Sequence, residues 1–316
     1  MMYFLAALTV LIIVLGIVPL LVRGANRIGF VDRPTERKKH KAPMPLVGGV
    51  AMFIGFAIGF SLFIGYGKPE YTAIIMGGCL ILCIGILDDW YKTKQKEFAI
   101  FPRVLIQFAA AALVYAAGIR FTGFMNPFTD SYVWFPPLLQ FALTILWIFG
   151  LTTVINFSDG LDGLAGGLSA ISAGTLFVAA LFMGQADSAF MAIVLIGAIL
   201  GFMRYNMFPA KIFMGDSGAN LLGFMLAVIS LHGAFKQATL VSLFVPVLAL
   251  GVPIFDNIFV VVKRFIERKP IYKADLSQIH YRLLKTGLNP LQAVLFIFLI
   301  SACLNLTSII LLLLKL

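Results

Sequence analysis

The chain has 316 residues, of which 61% are hydrophobic and only 12% are charged, and its formal net charge is +10. A soluble protein would carry roughly a quarter charged residues, so the composition excludes a soluble globular domain and predicts a polytopic membrane protein. The positive charge does not indicate nucleic-acid binding, because the sequence contains no basic, aromatic-rich soluble module. We therefore expect one integral membrane domain over residues 1–316.

About 20 apolar residues cross a bilayer as a helix, and ten segments of the chain approach this length. The predicted all-α bundle has its transmembrane helices near residues 2–22, 46–66, 70–87, 103–120, 134–154, 163–183, 188–205, 217–233, 239–262 and 290–314. The first segment is too long for a signal-peptide core and has no basic residues before it, so we expect it to be retained. The eighth is the weakest prediction, because it is short and contains Gly218 and Gly223.

The basic residues predict the orientation of the bundle. Of the 24 Lys and Arg residues, 20 lie in or beside the loops that follow the odd-numbered spans. Cytoplasmic loops of membrane proteins carry an excess of Lys and Arg. These loops are therefore predicted to be cytoplasmic, and both termini are predicted to lie outside.

Two adjacent acids, Asp88 and Asp89, close the third predicted span. A helix C-terminus already carries partial negative charge, so this pair requires a cation or a nearby lysine such as Lys92 for compensation. From this pair alone, a solvated helix end and a metal site both remain open.

The segment NFSDGLDGLAGG at residues 156–167 is more specific. If it is helical, Asp159 and Asp162 lie three residues apart on one face, and the glycines allow a ligand or a neighbouring backbone to approach closely. The segment contains no Lys or Arg, and it opens the sixth span, whose N-terminus favours anions. Mg²⁺ bound to substrate phosphates would supply the missing positive charge. The alternative is a helix N-cap followed by a glycine-rich packing face.

A further acid, Asp216 in MGDSG, opens the eighth span, where it or Ser217 would also serve as an ordinary N-cap. The predicted topology places all three acidic groups at the cytoplasmic surface. Carboxylates that converge at one membrane surface indicate a divalent cation and a phosphate-bearing substrate. The sequence therefore predicts an enzyme that works at the lipid–water boundary.

Two loops on the same side carry candidate phosphate ligands. The first contains His40 and Lys41 in a basic run, which either anchors the protein to anionic lipid headgroups or contacts a nucleotide. The last contains His280 and Arg282. Asp256, inside the ninth span, is either a functional intramembrane carboxylate or the ion-pair partner of a basic residue from this last loop.

Together these motifs resemble those of the polyprenyl-phosphate N-acetylhexosamine-1-phosphate transferases, over essentially the whole chain. The matching segments are VDRPTERKKHKAPMPLVGGVA, LDDWY, NFSDGLDGLAGG and FMGDSGANLLGF. The first loop is more similar to the branch that uses UDP-N-acetylglucosamine than to the branch that uses UDP-muramoyl-pentapeptide. Within that branch, the chain is most similar to the enzymes that begin teichoic acid or related cell-wall polymer synthesis. The last loop departs from the family's H-x-H-H-R pattern and has QIHYR at residues 278–282.

The resemblance implies that undecaprenyl phosphate attacks the β-phosphorus of UDP-N-acetylglucosamine and that UMP leaves. It implies Mg²⁺ as the cofactor, with Mn²⁺ as the alternative, and a bacterial plasma membrane with the active site on the cytoplasmic face. Asp89 and Asp216 would bind the metal, with Asp88 close by. Asp159 and Asp162 would orient the nucleotide or accept a proton.

For the remaining site residues, the resemblance implies contacts with the substrates. Asn156 would hydrogen-bond the nucleotide or the sugar, and four basic residues would contact phosphates: His40, Lys41, His280 and Arg282. The alternative within the class is activity like that of phospho-N-acetylmuramoyl-pentapeptide transferase. The alternative from another class is a transporter or flippase of lipid-linked sugar, although transporters place their polar residues near the midplane. The apolar surface is expected to contact lipid or a second copy of the chain, which leaves a homodimer open.

Overall fold

The computed structural model describes residues 1–34, 42–126, 129, 131–233, 240–268 and 277–314. In this part of the chain, twelve helices form the bundle. They are α1 (Met2–Ile28), α2 (Gly48–Phe63), α3 (Pro69–Thr93), α4 (Ile100–Ala116), α5 (Pro137–Ser158), α6 (Leu164–Phe182), α7 (Ala186–Asn206), α8 (Gly215–His232), α9 (Leu240–Ala249), α10 (Gly251–Ile266), α11 (Ile279–Lys285) and α12 (Pro290–Leu313).

The helices follow the predicted spans closely. Six of them, α1, α3, α5, α6, α7 and α12, are long and apolar enough to cross a membrane. The shorter α2 and α4 are also apolar. The prediction of a polytopic helical membrane protein is therefore confirmed.

Two short pairs of antiparallel strands were not predicted. In the first, β1 (Val31–Asp32) pairs with β2 (Met44–Pro45). In the second, β3 (Gly123–Asn126) pairs with β4 (Ser131–Trp134) between α4 and α5. Their strands contain two to four residues, which is too short for an alternating pattern to be detected in the sequence.

The weakest predicted span, α8, is the central helix of the bundle. Every residue from Ser217 to His232 is buried, and α8 packs against α2, α3, α5, α6 and α7. A helix that is enclosed by other helices needs no apolar surface toward lipid. Its short length and its glycines, which weakened the prediction, are therefore compatible with its central position.

Glycines allow the neighbouring helices to contact the backbone of α8. At Gly223, an added Cβ would lie 2.5 Å from the carbonyl oxygen of Leu151 and 2.6 Å from the Cα of Thr152, both on α5. On α3, a Cβ at Gly85 would lie 2.4 Å from the Cα of Ser217. Small residues let helices approach closely where membrane lipid provides no hydrophobic drive for association.

The prediction of a continuous ninth span is wrong in one respect. The structure divides this span into α9 and α10 at Leu250. Pro253 has no N–H to donate to the carbonyl of Ala249, four residues earlier. That carbonyl instead accepts hydrogen bonds from Ser172 Oγ at 2.6 Å and from Asn305 Nδ2 at 3.2 Å. An unsatisfied carbonyl in hydrocarbon would cost several kcal/mol, so these side chains of α6 and α12 stabilise the break.

Tyr3 and Leu312 lie at the end of the bundle opposite the acidic motifs. Near the N-terminus, the ring of Tyr3 packs on that of Phe190, at the start of α7, with 4.4 Å between centroids. At the other terminus, Leu312 packs in a cluster with Ala179 and Val245. Asn206, where α7 ends, instead lies beside the loop that contains the NFSDGLDG acids.

Replacing Gly223 by alanine should destabilise the protein. The new methyl group would meet backbone atoms of α5, which cannot move as a side chain can. We expect a net loss of about 1–3 kcal/mol from overpacking, despite a gain of about 1 kcal/mol in helix propensity. Gly174→Ala is the matched control, since a Cβ at Gly174 meets no atom within 4 Å. Thermal unfolding in detergent should show a lower Tm for Gly223→Ala and an equal or higher Tm for Gly174→Ala.

Candidate active site

Two carboxylates from different helices share two cations at one end of the bundle. Asp88, on the last turns of α3, is 1% exposed, and its Oδ2 lies 3.0 Å from Arg103 Nη1 and 3.4 Å from Lys92 Nζ. Asp216, on the first turn of α8, bonds to the same Lys92 Nζ and lies 3.9 Å from Arg103 Nη1. Lys92 was expected as a counter-ion, whereas the role of Arg103 was missed.

The second acid of the pair, Asp89, holds the N-terminus of α8 against α3. Its two carboxylate oxygens accept hydrogen bonds from the backbone N–H groups of Asp216 at 2.9 Å and Ser217 at 3.1 Å. Gly215 has a φ of +71°, and a Cβ there would lie 2.3 Å from Asp89 Oδ2. Asp89 thus satisfies two of the four N–H groups that a helix N-terminus leaves free, and its charge complements the helix dipole.

Asp159 and Asp162 lie in a loop and not on one face of a helix. The sequence analysis considered a helix at this segment, and that interpretation is wrong. The chain leaves α5 at Ser158 and enters α6 at Leu164, and Gly163 has a φ of +76° that ends any continuous helix. Asp162 Oδ2 accepts a hydrogen bond from the N–H of Ala210 at 3.0 Å. This bond fastens the loop to the segment that follows α7.

A buried asparagine, Asn206, makes a second connection between these two loops. Its Oδ1 accepts from the N–H of Gly163 at 3.1 Å, and its Nδ2 donates to the carbonyl of Ile212 at 2.8 Å. Only 4% of Asn206 is exposed. The loop that carries Asp159 and Asp162 is therefore held in place by contacts from α7.

Asp159 has a solvent-accessible side chain, but its carboxylate is surrounded by many protein atoms and lies near the other acids. Its pKa is raised to about 7, first by desolvation and then by the negative charges of Asp216, Asp89 and Asp162, while Lys92 acts in the opposite sense. The three acidic motifs therefore converge, as the sequence predicted. Without added cations, Asp159 is protonated in part of the molecules at neutral pH.

Asn156, at the end of α5, belongs to a group of amide side chains. Its Nδ2 donates to Asn220 Oδ1 on α8 at 3.0 Å, and Gln107 Nε2 on α4 lies 3.5 Å from the same oxygen. The sequence analysis missed Asn220 and Gln107. Their signal was a polar residue four positions after Asp216 and after Arg103, inside otherwise apolar helices.

In the last loop, His280 is fully buried against the loop that carries Asp159. A Cβ at Gly160 would lie 2.0 Å from His280 Nε2, and neither ring nitrogen has a hydrogen-bond partner within the part of the chain that the structure describes. Desolvation lowers the pKa of His280 to about 4, so the imidazole is neutral near pH 7. The ring of His280 has no exposed surface in this structure, so no phosphate can reach it here. A phosphate contact by His280 stays a prediction.

Arg282 is paired with Asp256, which was one of the two alternatives for this intramembrane acid. Arg282 Nη2 lies 3.2 Å from Asp256 Oδ1, and its guanidinium lies over the ring of Phe259. Asp256 also accepts the N–H of Ile279 at 2.8 Å, at the start of α11. A phosphate contact by Arg282 likewise stays a prediction. The other candidates, His40 and Lys41, lie outside the described residues.

The pair Asp88 and Asp216 fits a divalent cation. Among the residues that the structure describes, no three His, Cys, Asp or Glu side chains form a complete metal cage. Mg²⁺ does not require such a cage, because it keeps several waters and is held by one or two carboxylates together with substrate phosphates. Lys92 and Arg103 neutralise these two carboxylates in this structure, so a bound metal ion would take their place beside the acids.

The buried imidazole should make stability sensitive to acid. Between pH 6.5, where a histidine ionises in an unfolded chain, and about pH 4, the unfolded state binds one proton more than the folded state. The contribution of neutral His280 to the free energy of unfolding is therefore complete above pH 6.5 and is lost as the pH falls toward 4. The free energy of unfolding falls by at most about 1.4 kcal/mol per pH unit in this range. His280→Leu should remove this component from the pH dependence of Tm in detergent. An identical pH dependence in the variant and the wild type would contradict this burial.

Comparison with known proteins gives an independent assignment. The model of glycosyl transferase family 4 matches residues 71–234, which include all five acids and just over half of the chain.

A probable undecaprenyl-phosphate N-acetylglucosaminyl 1-phosphate transferase of Bacillus subtilis is 41% identical over 304 residues, which cover 95% of this chain and 82% of that protein. A decaprenyl-phosphate N-acetylglucosaminephosphotransferase of Mycobacterium tuberculosis is 32% identical, with 87% of this chain and 74% of that protein covered. An undecaprenyl-phosphate alpha-N-acetylglucosaminyl 1-phosphate transferase of Escherichia coli is 27% identical, with 89% and 76% covered. This chain belongs to glycosyl transferase family 4.

Proposed function

We propose that this protein transfers N-acetylglucosamine 1-phosphate from UDP-N-acetylglucosamine to undecaprenyl phosphate, with release of UMP. The names of the Bacillus and Escherichia relatives support this donor group and this acceptor. The observation that carries the proposal is the pair of carboxylates, Asp88 and Asp216, which share Lys92 and Arg103 at one end of a membrane helix bundle. We extend the proposal to the first membrane step of teichoic acid or related cell-wall polymer synthesis, on the resemblance of the four sequence motifs.

The reaction must bring two anionic partners together. Lys92 and Arg103 would contact phosphate oxygens as negative charge shifts toward the departing UMP, since preorganised cations are most effective where charge develops in the transition state. Asp88 and Asp216 keep both cations in place before substrate arrives. The apolar helices around the site help to keep water from the phosphorus atom.

Mg²⁺, or Mn²⁺ in its place, would be held by Asp88 and Asp216. The sequence analysis assigned this role to Asp89 and Asp216, but both oxygens of Asp89 accept backbone N–H groups, whereas Asp88 contacts side-chain cations. We therefore give the second ligand position to Asp88. When bound, the ion would neutralise the diphosphate of the donor.

Asp159 would orient the substrates, and a strong base is not required. A phosphate monoester has its second pKa at about 6, so the lipid phosphate is largely ionised near neutral pH. The pKa of Asp159, raised to about 7, nevertheless allows it to take up a proton there. Asp162, bonded to the N–H of Ala210, fixes the loop on which Asp159 lies.

The orientation that we propose places the acids on the cytoplasmic side of a bacterial plasma membrane. The excess of Lys and Arg in the loops at this end supports it, as does the position of Tyr3 and Leu312 at the opposite end of the bundle. The ten predicted spans then correspond to α1–α8, to α9 with α10, and to α12. A transporter is disfavoured, because its polar site would lie near the midplane.

Asp216→Asn should abolish transfer while the protein remains folded. The amide lacks the charge that binds Lys92 and that would bind the metal, so we expect turnover to fall by at least about 100-fold, the size of effect seen when one electrostatic group of a reaction site is removed. The measurement is UMP release from UDP-N-acetylglucosamine by purified protein in detergent, with undecaprenyl phosphate and Mg²⁺.

The matched control is Asp187→Asn at the other end of the bundle, where the carboxylate pairs with Lys68 at 2.9 Å. We expect this variant to retain turnover within about twofold, with at most about 1 kcal/mol lost from an exposed ion pair. Near-normal turnover of Asp216→Asn would contradict the proposed role of this acid.

A donor panel tests the proposed specificity. With undecaprenyl phosphate as acceptor, we expect UMP release from UDP-N-acetylglucosamine to exceed by far that from UDP-N-acetylgalactosamine and from UDP-muramoyl-pentapeptide. Product analysis should identify undecaprenyl-diphosphate-N-acetylglucosamine. Preference for the muramoyl donor would replace this proposal by the alternative within the class, and absence of UMP release with every donor would favour a transporter.

A further inference from the structure

A layer of amide side chains lies one helical turn behind the charged layer of the site. On α8, Asn220 follows Asp216 by four residues, and on α4, Gln107 follows Arg103 by four residues. Residues four apart lie on the same helix face, so both helices repeat the polar position one turn deeper in the bundle. Asn156 joins this layer from α5, three residues before Asp159.

The three amides meet at one oxygen. Asn220 Oδ1 accepts a hydrogen bond from Asn156 Nδ2 at 3.0 Å and lies 3.5 Å from Gln107 Nε2. Asn220 is 4% exposed and Gln107 is 8% exposed, whereas Asn156 is only half-buried. Of these three side chains, Asn156 is therefore the one that a substrate can reach.

The bond to Asn220 fixes the orientation of the Asn156 amide. A carboxamide has two N–H donors and one carbonyl acceptor. Because one N–H points to Asn220, the rotation of the amide plane is restricted, and its other N–H and its oxygen are held in fixed directions. A freely rotating amide would lose this ordering entropy when substrate binds.

We propose that Asn220 is a positioning residue for the donor substrate and acts through Asn156, with Gln107 as a lesser contributor. This inference rests on the proposed function, in which Asn156 hydrogen-bonds the nucleotide or the sugar. Burial of an amide among apolar helices costs free energy unless it is hydrogen-bonded. An apolar side chain of similar shape at position 220 would avoid this cost, so packing alone does not explain the asparagine.

A double-mutant cycle separates this role from simple packing. Asn220→Leu keeps a side chain of similar shape and removes the acceptor. In the wild-type background, we expect kcat/KM for UDP-N-acetylglucosamine to fall about 3- to 10-fold, the value of one hydrogen bond, chiefly through a higher KM. In the Asn156→Ala background, the same substitution should change kcat/KM by less than about 2-fold, because the interaction is already absent.

Asn305→Leu is the matched control. Asn305 is also 4% exposed, and its amide donates to the carbonyls of Ala249 and Ser301 away from the site. We expect a comparable fall in Tm for Asn305→Leu and Asn220→Leu, but a raised donor KM only for Asn220→Leu. If Asn220→Leu does not fold, Asn220→Ala is carried through the same cycle with the same expected values.

Equal losses of kcat/KM in both backgrounds, or an unchanged donor KM, would overturn the inference while UMP release by the wild type upholds the proposed function. A wild type that releases no UMP with any donor would instead overturn the proposed function, and this inference with it. The two failures are therefore distinguishable in a single set of assays.

Discussion

The hydrogen bonds between the Asp89 carboxylate and the first N–H groups of α8 are the contacts on which the site depends. They fix the start of the central helix against the end of α3 and place Asp216 beside Asp88. Gly215 and Gly85 make this approach sterically feasible, because any side chain at either position would meet Asp89 or Ser217. One buried carboxylate thus connects helix packing with the geometry of the charged layer.

Charge balance explains why the acids need partners from elsewhere in the chain. The loop that carries Asp159 and Asp162 has no basic residue, and the cations that the structure provides, Lys92 and Arg103, lie beside Asp88 and Asp216. Desolvation, followed by the negative charges of the neighbouring acids, therefore raises the pKa of Asp159 to about 7. Under the proposed function, a divalent ion bound to the nucleotide diphosphate would supply further positive charge at this site.

The sequence alone predicted the membrane class, most of the helices and the meeting of the three acidic motifs at one end of the bundle. These predictions rest on hydropathy and on the basic residues of each loop, which are local properties of a segment. The sequence was not sufficient for contacts between distant segments. The bonds from Asp89 to residue 216, from Asn156 to Asn220 and from Asp256 to α11 depend on which helices are neighbours. The weak prediction of α8 had a similar cause, since its burial by other helices depends on the rest of the bundle and not on the segment itself. The break at Leu250 was foreseeable, because Pro253 removes one N–H from the helix ladder.

The break at Leu250 interrupts the ninth segment only locally. Ser172 and Asn305 satisfy the carbonyl of Ala249, while Leu250 N–H still bonds to the carbonyl of Pro246 and Ile254 N–H to that of Leu250. The inner half, α10, bears Asp256, which anchors α11 and, through it, the imidazole beneath Gly160. The second half of the ninth segment therefore ends in the contacts that hold α11 and His280 against the loop that bears Asp159.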